Sequence, residues 1–331
     1  MSRDRRTIVG LGMLGAIALL AGLAGGTSRA QDGPIRGVWT AQPSRWKTTD
    51  GGSAVIVQLS LRRTGSGHDW NSSFPVLLGD LKGLTAEQTR GPRSDVRFEM
   101  PRDAGTIALE GRFESGDGAG HFTFAPSADY VQELRHQGYG TLDDEKVFSL
   151  ATHDVSRGFI RELGQLGYPR LALDELLKLR IHSASPEFVR ELQALGYAHP
   201  STDELVNLRI HGASPAFIRE LKSIGYERIP IDGLVNLRIH GASPEFVRDL
   251  RGLGYERIAP GELVNMRIHG VSPEFIRSLR ELGYRRVPVD DLVNMRIHGV
   301  SPDFIRRVNS GKAAPATVDR LVDMRIHGRE E

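Results

Sequence analysis

The chain has 331 residues, room for about two domains at roughly 100–200 residues each. Its 43 Lys and Arg against 41 Asp and Glu leave a net charge of +2, and the arginines alternate with acids, so no broad basic field for nucleic acid exists. There is no cysteine, which excludes disulfide staples, thiol catalysis and Cys-based metal sites.

Residues 1–30 carry a targeting pattern. MSRDRR is a charged leader, Thr7 to Ser28 is uncharged and rich in Leu, Ala, Ile and Gly, and Ser28-Arg29-Ala30 puts small residues at −3 and −1 of a cut before Gln31. A cleaved signal peptide is expected. The run is also just long enough to serve as an uncleaved membrane anchor. Either way the remainder is exported, to the periplasm or beyond, and membrane association is expected only through this segment. Arg5-Arg6 before Thr7-Ile8-Val9 loosely matches a twin-arginine signal.

Residues 33–126 read with period two. Ala54 to Leu61 is a β-branched run, Val96, Phe98 and Met100 alternate with Arg97 and Glu99, and Ile107 to Phe113 alternates likewise. Ser115 to Gly120 reads as a turn and His121 to Phe124 as a returning strand. Short strands between Gly, Asp and Pro turns predict an antiparallel β-sandwich or small barrel. Trp39, Trp46 and Trp70 are candidates to line a small-ligand or carbohydrate pocket, with His68 and Asp69 as polar handles; the competing expectation is that they fill a core.

Residues 127–331 repeat themselves. Tyr139, Tyr168, Tyr197, Tyr226, Tyr255 and Tyr284 stand 29 residues apart, as do serines from Ser127 to Ser301, each with an aromatic three positions on. The register holds without insertion through about six to seven copies, predicting an α-solenoid of αα-hairpins. In Ser243-Pro244-Glu245-Phe246, Ser is the N-cap, Pro fits the first helical position, and Glu complements the dipole. Gly254 then supplies the left-handed stop. The other helix is expected to open at Asp174, Asp203, Asp232, Asp290 and Asp319 and to run through Leu-Val-Asn-Leu-Arg-Ile-His to a glycine.

On a wheel at about 100° per residue, Arg238 falls inside the apolar arc between Leu234 and Val235, and His240 falls on the polar side. Arg180, Arg209, Arg238, Arg267, Arg296 and Arg325 are therefore expected to be buried charges paired with a carboxylate or with helix-end carbonyls of a neighbouring repeat. The alternative is a row of arginines lining a groove for an anionic ligand. His153, His182, His211, His240, His269, His298 and His327 are expected to cap helix ends. Zinc needs nitrogens about 2.0–2.1 Å away, whereas stacked helices lie about 8–10 Å apart, so successive histidines cannot share an ion. No catalytic, metal or cofactor-binding residue is predicted: nucleophile, HExxH, P-loop and dinucleotide motifs are all missing.

The L-R-I-H-G-x-S-P-E-F and E-L-x-x-L-G-Y cores resemble a bacterial helical repeat found as a tail on some membrane-bound zinc sensor peptidases of the β-lactam-antirepressor type. The segment Glu110–Phe124 leading into the array resembles a recurrent bacterial arrangement, and the likeness covers Glu110–Glu331. The peptidase's HExxH and membrane helices have no counterpart. The resemblance implies an envelope-associated accessory or sensing function, with another protein as partner. Residue pairs that vary between copies, Gln193-Ala194, Lys222-Ser223, Arg251-Gly252 and Arg280-Glu281, are expected on the partner surface.

Overall fold

The computed structural model describes residues 34–47, 53–63 and 70–328. The predicted signal segment, residues 1–30, lies outside them, as do His68, Asp69 and the side chain of Trp46. No helix among the described residues is long and apolar enough to cross a membrane. The chain divides into two compact units, Met1–Arg161 and Glu162–Glu331. The change of period at 126/127 is therefore not the edge of the first unit, which keeps the first repeat.

The first unit is built on one antiparallel sheet of β1 (Ile35–Lys47), β2 (Ser53–Arg63), β3 (Trp70–Leu77), β4 (Ser94–Arg102), β5 (Gly105–Glu114) and β6 (Asp117–Pro126). Its order is β3-β2-β1-β6-β5-β4, so β3 and β4 are edges: these strands form one open sheet instead of two stacked sheets or a closed barrel. Alternation decides the buried face. Val96, Phe98, Met100, Ile107, Leu109 and Phe113 are buried, while Arg97 pairs with Glu110 at 3.0 Å and Arg112 with Asp95 at 2.8 Å on the opposite face. The short helix α1 (Ala86–Arg90), opened by a Thr85–Gln88 capping box, packs on β1, β4 and β5. After α2 (Ala128–His136), α3 (Asp144–Thr152) packs on β1, β5 and β6. There Phe148 stacks on Phe122 at 5.6 Å and meets Phe124 at 5.2 Å.

The Ser115–Gly120 stretch is a turn only at its start. Ser115 and Gly116 have φ of 51° and 98°, and β6 begins at Asp117. Gly120 is a strand residue facing both Trp39 and Gly111, where a Cβ would lie 2.0 Å from the Glu110 carbonyl and 2.7 Å from Trp39 Nε1. The glycines there make room for an indole.

The chain passes through α4 (Arg157–Gln165) into the second unit. Five hairpins follow: α5 (Leu173–Ile181) with α6 (Pro186–Ala194), α7 (Thr202–Ile210) with α8 (Pro215–Ser223), α9 (Ile231–Ile239) with α10 (Pro244–Gly252), α11 (Pro260–Ile268) with α12 (Pro273–Glu281), and α13 (Val289–Ile297) with α14 (Pro302–Asn309). A last helix, α15 (Val318–His327), stands after them. Odd-numbered helices from α5 pack on one another in series, as do even-numbered ones from α6 to α14, giving a two-layer solenoid.

Every serine of the column is the predicted N-cap: Ser127, Ser156, Ser185, Ser214, Ser243, Ser272 and Ser301 each accept from the backbone N–H of the aromatic three residues on, at 3.1–3.3 Å. The acidic column does not cap. Ala172, Ser201, Pro230, Ala259, Pro288 and Thr317 hold the cap positions of the odd helices, and two residues later, in the first turn, stand the five aspartates, with Gly261 in their place after Ala259. There they complement the dipole, while Glu175, Glu204 and Glu262 reach back to the cap N–H at 2.7–3.0 Å.

Candidate functional site

Three rows of bonds tie one hairpin to the next. From Tyr168 on, the tyrosine hydroxyls reach forward to a carbonyl in the following linker: Tyr168 to Pro200 at 2.6 Å, Tyr197 to Ile229 at 2.8 Å, Tyr226 to Ile258 at 2.7 Å, Tyr255 to Val287 at 2.7 Å and Tyr284 to Ala316 at 2.6 Å. Burial raises the pKa of the Tyr168, Tyr197, Tyr226 and Tyr255 hydroxyls, keeping them protonated donors. The second row reaches backward. Gln193 donates to Leu166 O at 2.9 Å, Lys222 to Leu195 O at 2.9 Å, Arg251 to Ile224 O and Arg280 to Leu253 O. These were expected as a partner surface because they differ between copies. They differ in identity but share one task, a long donor satisfying the last carbonyl of the preceding hairpin. An open groove of about 720 Å³ beside Tyr226, Arg251 and Pro260 is lined by these already engaged groups.

The third row is the arginine column, and burial there was wrongly expected. Arg238, Arg267 and Arg325 are exposed, and Arg180, Arg209 and Arg296 are half-buried. The guanidinium carbon lies over a phenylalanine ring of the preceding hairpin: Arg209 over Phe188 at 5.1 Å, Arg238 over Phe217 at 5.0 Å, Arg267 over Phe246 at 5.1 Å, Arg296 over Phe275 at 5.1 Å and Arg325 over Phe304 at 4.9 Å. The expected reach to a neighbour's helix-end carbonyl occurs at Arg209, 3.4 Å from His182 O, and at Arg267, 3.4 Å from His240 O. Among the described residues no carboxylate lies within 4.0 Å of these five arginines. Even-helix arginines behave differently: Arg190 pairs with Glu162 and Glu187, Arg219 with Glu191, and Arg248 with Glu220 and Glu245.

The histidines stand at helix ends, as expected, but seldom cap with the ring. His182, His211, His240, His269 and His298 are C-cap residues, and backbone N–H groups beyond them take the free carbonyls. After His240, Gly241 at φ 67° bonds Arg238 O and Ala242 bonds Leu237 O at 2.8 Å, a Schellman arrangement. The His327 ring meets its own helix, Nδ1 lying 3.0 Å from Asp323 O. Burial lowers the pKa of the His182 imidazole, with Lys178 adding to it. Among the described residues no three His, Asp or Glu side chains converge as a metal set.

The isoleucine between them was missed. Among the described residues the exposed large apolar side chains are Ile181, Ile210 and Ile239 at 49%, Ile268 at 54%, and Ile297 and Ile326 at 53%. The wheel extends the apolar arc to this position, but the helix ends there and neighbouring helices cover only half of it. A signal existed in the sequence. Core positions drift, Leu208 and Leu237 becoming Met266 and Met295, whereas Arg-Ile-His is unchanged in six copies. In the first repeat, where α3 packs on the sheet, the matching residues are Ala151 and Thr152, both buried. Arg and Ile thus occur where the position faces solvent.

Trp39 is not a pocket residue. It is 1% exposed, donates Nε1 to Glu110 O at 3.1 Å and meets Phe98 edge-on at 5.3 Å. Trp70 leans on Phe148 at 5.0 Å. No protein-family model matches the chain, and no curated protein matches it.

Proposed function

We propose that this protein is an exported, non-enzymatic repeat protein of the cell envelope whose solenoid binds another protein, in an accessory or sensing capacity, through the ridge of Arg-Ile-His segments. The observation that carries this is the isoleucine column: six identical apolar side chains, half-exposed, at a fixed step along one layer of the solenoid. Burying the exposed half of each contributes about 1 kcal/mol, enough in series to support a docking surface. Export rests on the pattern of residues 1–30.

The test is capture from envelope extract by the immobilised full-length protein, compared with the triple variant Ile210→Ser, Ile239→Ser, Ile268→Ser. These side chains are half in solvent, so circular dichroism and melting should stay close to the parent, while the captured partner is lost. Equal capture by a folded variant would remove the ridge from the proposal.

A further inference from the structure

Resting on that reading of the ridge, we infer that the partner presents an acidic, amphipathic polypeptide segment, with aliphatic side chains set among the isoleucines and carboxylates set on the arginines. The ridge is apolar along its middle and cationic along one flank. Five of its arginines, Arg209, Arg238, Arg267, Arg296 and Arg325, are positioned before anything binds: each lies over a phenylalanine ring at about 5 Å, and Arg209 and Arg267 also bond the preceding His carbonyl. That arrangement leaves the edges of these five guanidinium groups unopposed by any carboxylate of the described chain, while Arg190, Arg219, Arg248 and Arg277 on the even helices are already paired with acids. A donor fork held in place and lacking an acceptor fits carboxylates of a partner, which gain orientation as well as attraction.

A second copy of this chain does not satisfy the same surface. Two ridges face to face would set arginine against arginine or histidine, with no acid within the Arg-Ile-His segment to receive either. A lipid surface would meet the charges and the isoleucines, but it has no register along the solenoid. The arginines here are clamped in register, once per hairpin, which favours a chain molecule over a fluid interface.

The experiment uses fluorescence anisotropy with the full-length protein and three labelled peptides of equal length, composed of Glu and Leu, of Lys and Leu, and of Glu and Ser, together with sedimentation on phosphatidylglycerol vesicles. The Glu/Leu peptide should bind, more weakly as salt is raised. Binding should fall about tenfold or more in the Arg238→Gln, Arg267→Gln variant and likewise in the Ile239→Ser, Ile268→Ser variant, each confirmed folded by its melt. Equal binding of the Lys/Leu or the Glu/Ser peptide would overturn the inference, as would vesicle binding without peptide binding. Loss of extract capture in the isoleucine variant with full capture in the arginine variant would leave the ridge standing as a docking surface and sink the acidic partner.

Discussion

A single hydroxyl shows how a residue can be legible in position and illegible in purpose. The tyrosine column is plain from its 29-residue step, but the step does not say what the hydroxyl bonds. The oxygen travels to the next linker, 32 residues ahead, a contact that no short-range pattern encodes. Tyr255→Phe should therefore cost about 1 kcal/mol, because Val287 O, on a residue only 5% exposed, loses its donor while the ring stays in place. Denaturant unfolding of the single variant measures it, and an unchanged midpoint would show that water takes over the carbonyl. Arg238 was misplaced for a related reason. A wheel ranks directions around one helix, but the ring of Phe217 on which this arginine lies belongs to the preceding hairpin.

The helices themselves were legible nearly to the residue, since caps are local chemistry. Serine, proline and glycine mark the even helices so fully that predicted and observed limits coincide. The odd helices were mis-started by two residues because their caps vary among Ala, Ser, Pro and Thr, and the constant aspartate drew attention away from them. Two neighbouring glycines of α10 separate conformational need from tolerance. Gly254 sits at φ 80°, and Gly254→Val should destabilise by about 1–3 kcal/mol. Gly252 is the last helical residue with open space around it, and Gly252→Ala should stabilise by about 0.5–1 kcal/mol. Thermal melts of the two should move in opposite directions; the same sign for both would refute the cap assignment. In the sheet the alternating strands β4 and β5 were readable. The central strand β1, interrupted by Gly37 and Pro43, was not, because its fit depends on glycines supplied by β6.

At the scale of the molecule, the forward tyrosine bond recurs from Tyr168 to Tyr284 and the backward donor from Gln193 to Arg280, so the inner hairpins should be interchangeable as whole units. Excising residues 241–269, one full 29-residue step, joins His240 to Gly270 and restores each latch with its counterpart. The shortened protein should keep its helicity per residue and melt cooperatively a few degrees lower. Collapse of the array would mean that hairpins are not equivalent neighbours. The tyrosines point forward and the Gln193, Lys222, Arg251 and Arg280 donors point back, so the stack has a polarity. At the position where the next tyrosine would fall stands Ala313, and Asn309 instead closes on Tyr284 Oη at 3.2 Å. Because each hairpin adds one isoleucine at a constant step, the ridge behaves as a ruler. On the docking reading proposed above, adding or losing a hairpin would lengthen or shorten the grip on a partner by one notch, letting binding strength be graded without altering the chemistry of any contact.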